Sequence, residues 1–252
     1  MENLAAAPGE HKKERVPQAE IAVISLGSTP PRRFGVPGKG GESVMLLPEI
    51  GEVPPSRLYY KEPSSAGKKA QWKPFSISFN NPSPMKSVAA GKSFTLYLKK
   101  SNEQGYEHYV TIPADLEGSR RVIFLTSSAE GGKPWSKAPL VWIIPLHTED
   151  LEGKQFILKN LSSKRVLHAF GETITRVEPE QIISYERVKS GVLYRLAAKC
   201  EKQKKIIYNM AVRLDTEGSI HLYALYDTNP NTNAGRTVGV FSTKVAASSA
   251  VK

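Results

Sequence analysis

The sequence of 252 residues predicts an all-β protein, two β-sandwich halves in tandem with little helix. Three observations lead there. Two runs, 206–214 and 220–226, alternate with a period of two. In the first, Ile206, Tyr208, Met210, Val212 and Leu214 alternate with Ile207, Asn209, Ala211 and Arg213. In the second, Ile220, Leu222, Ala224 and Tyr226 alternate with His221, Tyr223 and Leu225, and a turn from Asp215 to Gly218 makes the pair a hairpin. Similar short runs, separated by turns rich in Gly, Pro and Asn, recur through the chain. An apolar fraction of 40% over this length is enough for a core in one large domain or two ordinary ones.

Taken in order, 1–19 is polar, carries Pro8, Gly9 and Pro17, and is expected to be a disordered arm. The first strand is 20–26, stopped by Gly27 and the Pro30-Pro31 pair. A Gly-rich loop at 34–41 contains Lys39, but neither it nor Gly91-Lys92-Ser93 has phosphate-loop spacing, since Lys86 stands where the first Gly would be needed. Strands follow at 44–47 and 57–62, then at 71–80, where Phe75, Ile77 and Phe79 share a face and Pro74 places the start at a sheet edge. A second hairpin is expected from 93–99 and 108–112. The run 121–127 is apolar almost throughout, as in a strand covered on both faces. The stretch 128–139 is the strongest composition shift, and it reads as a linker between a β-rich domain at 20–127 and a sandwich at 140–245. Beyond it, strands are expected at 140–147, 155–160, 165–170, 173–177, 191–199 and 237–245, with one helical turn at 148–153. Residues 179–188 fit a strand better than a helix, and 246–252 is a tail. No self-similar period marks a solenoid or propeller.

Lys and Arg number 35 against 24 Asp and Glu, a formal +11. The surplus is spread in pairs, among them Arg32-Arg33, Lys68-Lys69, Lys99-Lys100 and Lys164-Arg165, most of them at strand ends and turns. Such pairs blunt sheet edges, and dispersed charge of this kind does not point to nucleic acid. The single cysteine, Cys200, forms neither an internal disulfide nor a cysteine zinc site, and it ends an apolar run as an inert thiol would. No stretch reaches the roughly 18 apolar residues that span a bilayer. The opening residues lack a basic head and apolar core, yet Ala5-Ala6-Ala7 before a polar segment resembles a mature exported start behind an added Met1. The expected location is therefore extracytoplasmic (periplasm, outer membrane or cell surface), with the cytoplasm as the alternative.

Catalytic chemistry is not legible. The five histidines are not at metal-ligand spacing, no Gly-x-Ser-x-Gly or dinucleotide fingerprint occurs, and the carboxylate pairs lie in turns. Oxygen side chains at every second position from Asp227 to Asn233 suggest a calcium loop, but the central Gly and terminal Glu of an EF-hand are missing. No catalytic residue, cofactor or metal is expected. Trp142 sits in an apolar run and reads as core, whereas Trp72 at a strand start and Trp135 in the Gly/Pro-rich stretch are candidates for exposure. The candidate contact residues are Arg32, Arg33, Lys68, Lys69, Trp72 and Trp135.

The runs Phe156 to Ser162, with its Asn160-Leu161-Ser162, Ile174 to Pro179, and Val192 to Arg195, followed by the final hairpin, resemble immunoglobulin-like β-sandwich domains of bacterial exported proteins. That resemblance implies a surface, pilus-associated or envelope structural component without shared catalytic residues; the Cys and Trp pattern of antibody-type domains is absent. The expected function is a non-enzymatic exported structural or adhesive component of a pilus or cell-surface assembly, joined to a protein partner by a sheet face or edge. The alternatives are a module for acidic polysaccharide or mucin-type glycans, contacted by basic pairs and exposed tryptophans, and a hydrolase with a cleft between the halves.

Overall fold

The structure, a computed structural model, describes residues 18–35, 41–62, 70–100, 105–114, 120–128, 132–146, 154–186, 192–202, 205–214, 219–229 and 235–246. Every regular element among them is a β-strand. In the first half an inner sheet runs β10 (Leu140–Pro145), β9 (Arg120–Thr126), β1 (Gln18–Leu26), β6 (Lys86–Ala89). An outer sheet runs β5 (Gln71–Ser76), β4 (Arg57–Glu62), β7 (Phe94–Lys99), β8 (Tyr106–Ile112). A separate hairpin joins β2 (Arg33–Gly35) to β3 (Val44–Leu46). In the second half the inner sheet is β14 (Ile182–Glu186), β11 (Lys154–Asn160), β17 (Ser219–Asp227), β18 (Val238–Ala246). The outer sheet is β13 (Thr173–Val177), β12 (Val166–Phe170), β15 (Leu193–Cys200), β16 (Ile206–Arg213).

Three apolar clusters stack these sheets. Ile21, Val23, Ile123 and Leu125 of the first inner sheet meet Leu58, Phe75, Leu96 and Ile112 of its outer sheet. Phe156, Leu158, Tyr223 and Leu225 meet Val166, Val177, Leu196 and Tyr208 in the second half. The third cluster lies between the two inner sheets and joins Ile24, Leu26, Val122, Phe124 and Ile144 to Ile157, Leu222, Ala224, Tyr226 and Phe241. Alternate residues of β1, β9, β11 and β17 therefore enter different cores, which is why 121–125 and 220–226 are buried without interruption. At the centre of each inner sheet is a parallel pair, β1 with β9 and β11 with β17. Parallel strands usually have both faces covered and then read as near-continuous apolar runs.

The same eight-strand plan is built twice. In each half the first strand pairs in parallel with the seventh and antiparallel with the fourth, and the other sheet follows the order third, second, fifth, sixth. Register marks agree. The β7–β8 ladder slips between Leu96 and Tyr97, leaving Tyr109 as the extra residue, and the β15–β16 ladder slips between Ala198 and Lys199, leaving Ile207. Tyr97 pairs with Tyr59 and Lys199 with Leu167, so both bulges sit at one position of the plan. Among the described residues Asn80 and Glu180 are the non-glycine residues with positive φ, at 54° and 64°. Each donates its N–H to the first strand of its half, to Ser25 O and Asn160 O, both at 2.8 Å. In antibody-type sandwiches the second and third strands lie in opposite sheets, whereas here they form a hairpin within one sheet.

Several expectations are revised by this arrangement. The stretch 128–139 does not link the halves: it joins β9 to β10, which are neighbours in one sheet, so 140–145 belongs with the first half. Composition marks a loop but not the elements it joins. The passage between the halves runs through 147–153, and the helical turn expected there lies outside the described residues. The arm expected over 1–19 ends earlier, since β1 starts at Gln18 and Ala19 is fully buried; at the other end β18 runs to Ala246, where a tail was expected. The strand expected over 71–80 stops at Ser76, and Pro74 does lie on an edge strand. β2 and β6 were not anticipated, having three and four residues and no alternation to read. Ile206, expected inward, is exposed, because the bulge turns Ile207 into the core instead.

The Asn160-Leu161-Ser162 run is a corner. The buried Asn160 amide donates to Lys164 O at 2.8 Å, Glu178 O at 3.1 Å and Val177 O at 3.3 Å, and its oxygen accepts from Ser162 N and Oγ. Phe124 lies in the central cluster with its ring against Phe241, centroids 6.0 Å apart. Phe124→Ala is expected to cost about 3–5 kcal/mol in urea denaturation, as for other fully buried aromatics. All three tryptophans lie in the first half. Their fluorescence and the far-ultraviolet dichroism of both halves are expected to report one coincident transition in the native protein and two separated transitions in the variant.

Candidate functional site

Two surfaces of the first half depart from an ordinary solvated exterior. The first is the β2–β3 hairpin. Phe34 pairs with Met45 on one face, and Leu46 and Val44 pair with Arg33 and Gly35 on the other. Phe34, Val44, Met45 and Leu46 are all exposed, and just beyond them Leu47 is 81% and Ile50 96% exposed. Both faces of the hairpin are thus apolar and open. Its base is pinned. Arg33 Nη1 donates to Glu49 Oε1 at 2.9 Å and Nη2 to Glu52 Oε2 at 2.6 Å, while Lys133 Nζ reaches Glu49 Oε2 at 3.0 Å. Hydrogen bonds from Lys133 and then Arg33 hold the Glu49 carboxyl below the usual range. Gly51, at φ 89°, presents its carbonyl to Trp135 N at 2.8 Å, a backbone turn that an L side chain would strain.

The second surface is the solvent face of the first outer sheet. β4 and β7 meet there at one pair, Tyr59 with Tyr97. Trp72 stacks on Tyr106 with centroids 3.8 Å apart and planes at 19°, and its edge meets Tyr97 at 5.0 Å. Tyr59 meets Tyr106 at 5.1 Å and Tyr97 meets His108 at 6.1 Å. Lys61 lies opposite Trp72 and Lys99 opposite Tyr106. All four aromatic residues are half-buried, and Arg57, Lys61 and Lys99 are exposed.

Of the residues singled out from sequence, Arg32 is exposed beside the hairpin and Arg33 is spent at its base. Lys68 and Lys69 lie outside the described residues. Trp72 belongs to the aromatic face. Trp135 is corrected: it is 4% exposed, packs in the first core against Phe79, and anchors the loop rather than lining a ligand surface. Trp142 is half-buried beside the central cluster, its indole donating to Thr126 Oγ1 at 2.9 Å. Sequence reading passed over Tyr59, Tyr97 and Tyr106. Within the strand expected at 57–62, alternation places Tyr59 and Tyr60 on opposite faces, but it does not say which face of a sheet meets solvent. It also passed over the hairpin, whose apolar residues read like any core strand.

A small cavity of about 220 Å³ lies where the halves meet, lined by Ser28, Asn80, Tyr226, Arg236 and Gly239 among others. Its described lining holds no carboxylate, histidine or cysteine. Asp227, first residue of the stretch weighed for calcium, gives its carboxylate to Ser163 N at 2.9 Å and Ser163 Oγ at 3.2 Å; residues 230–234 lie outside the described set. Cys200 is buried, and burial pushes its thiol up. Among the described residues no helix is long and apolar enough to cross a membrane. Compared with known families and curated proteins, the chain matches no family model and no curated protein sequence.

His168 is fully buried in the aromatic core of the second half, with Nδ1 3.0 Å from the Tyr185 hydroxyl and its ring stacked on Phe156. Burial pushes its pKa from 6.5 down to about 4. The folded ring is therefore neutral where the unfolded one takes up a proton, so its stabilising contribution is complete above pH 6.5 and is lost as pH falls towards 4. The loss is on the order of 3 kcal/mol, at 1.36 kcal/mol for each pH unit between 6.5 and about 4. Urea midpoints measured from pH 7.5 to 4 are expected to fall, and His168→Phe is expected to flatten that slope by about one proton.

Proposed function

We propose that this protein is a non-enzymatic, exported structural or adhesive component of a surface or envelope assembly, and that the β2–β3 hairpin inserts into an apolar groove of a partner protein. The carrying observation is that both faces of this hairpin are apolar and exposed while its base is held by Arg33, Glu49, Glu52 and Lys133. Exposed apolar surface of this extent marks an interaction site. A flat docking partner covers one face only; a tongue entering a groove buries both. The hairpin is also an addition to the eight-strand plan. In the first half 27–56 separate the first and second strands, and in the second half only 161–165 do so.

The open edges favour protein over lipid. Among the described residues β2 and β3 pair only with each other, so each leaves one row of N–H and C=O groups that hydrocarbon cannot satisfy and a partner strand can. The sequence resemblance of the second half to immunoglobulin-like envelope domains supports the same reading.

A photoreactive residue at Leu47, in cells, is expected to give one discrete protein adduct. Purified with that partner, the native chain is expected to bind saturably, and Leu47→Ser with Ile50→Ser to weaken binding at least about tenfold while leaving stability within about 0.5 kcal/mol. Self-association that the same substitutions abolish, flotation with vesicles that they abolish, or an adduct whose binding they leave unchanged would each refute the reading.

A further inference from the structure

We infer that the solvent face of the first outer sheet, around Tyr59, Trp72, Tyr97 and Tyr106, is a binding platform for an acidic glycan, a chain of pyranose rings bearing carboxylate or sulfate groups. It is a different surface from the hairpin and takes a different ligand.

The repeated plan separates what the fold demands from what it does not. At inward positions the two outer sheets agree: Leu58 matches Val166, Phe75 matches Val177 and Leu96 matches Ala198, all buried. At outward positions they diverge. Tyr59 corresponds to Leu167, Trp72 to Ile174 and Tyr97 to Lys199. The same backbone is thus built with aliphatic and charged residues where the first half concentrates aromatic rings. Burial does not account for the rings either, since all four are only half-buried.

The arrangement suits a sugar. Trp72 and Tyr106 are already stacked on one another, a rigid slab whose order is set before any ligand arrives. The apolar C–H face of a pyranose lies flat on such a surface, and hydroxyl-bearing groups surround it: the three tyrosines, Thr95, and the His108 Nε2–Thr111 Oγ1 pair at 2.9 Å. Arg57, Lys61 and Lys99 are on the same face, and among the described residues none of them is paired with a carboxylate. The nearby Glu62 is met by Lys73 Nζ at 3.4 Å. Proteins that hold single-stranded nucleic acid offer a row of separate rings, one per base. Here Trp72 and Tyr106 are stacked on each other and Tyr59 and Tyr97 meet them edge-on, which leaves no row of separate faces.

The test is calorimetric titration of the whole protein with uronate-containing and sulfated oligosaccharides, with neutral oligosaccharides of the same linkage and with a single-stranded oligonucleotide, each at two salt concentrations. Trp72→Ile and Tyr59→Leu install the residues that the second half carries at the matching positions, so both variants are expected to keep the native melting temperature to within a few degrees. Acidic oligosaccharide is expected to bind, with affinity falling as salt rises, and each variant to lose about tenfold or more. Lys61→Ala with Lys99→Ala is expected to remove the preference for acidic over neutral sugar. Binding unchanged by Trp72→Ile and Tyr59→Leu would show diffuse polyanion attraction and overturn the inference. So would binding of the oligonucleotide in preference to the sugars, or no binding across the panel.

Discussion

The central constraint is the third core, between the two inner sheets. Phe124, Ile24 and Val122 on one side and Leu222, Ala224 and Phe241 on the other leave neither inner sheet a solvent face. β9 and β17 must then be apolar at successive residues rather than alternate ones, and the parallel pairings at the sheet centres become affordable because both of their faces are covered. The outer sheets inherit the opposite condition. Each has one face on a core and one open, so ligand-binding residues can be placed on the open face without disturbing the packing.

Building one plan twice divides the molecule's labour. The bulges at Tyr109 and Ile207 and the positive-φ corners at Asn80 and Glu180 are common to both halves and belong to the scaffold. What differs is a better guide to function: the β2–β3 hairpin, and the outward aromatic residues of the first half. In the second half the matching surface is laced by Arg165 with Glu178 and Glu201 and by Arg176 with Glu201, exposed pairs that contribute little stability individually and keep that face solvated.

Much of the strand layout was legible. 57–62 and 173–177 were located to the residue because alternation and flanking Pro or Gly coincide there. The covered character of 121–127 was legible as well, since only a strand with two buried faces tolerates so long an apolar run. The candidate surfaces were less so. Trp72 stands out in sequence as a large aromatic at a Pro-marked edge and lies half-buried on the open face, whereas Trp135, in equally polar surroundings, is held in the core by a carbonyl of the distant Gly51. The exposed hairpin was invisible as such, because Val44, Met45 and Leu46 look the same in sequence whether covered or not.

The sequence by itself determined the fold class and most turns, since period-two alternation, φ restriction at Pro and the freedom of Gly act within a few residues. Only the tertiary structure decided that residues 100 apart, such as Glu20 and Arg120, lie side by side in one parallel pair, that 128–139 folds back within a sheet, and that a third core exists. Alternation states that a face is apolar but carries no information on what meets it. Which apolar faces became core and which were left open was settled by contacts between segments far apart in the chain.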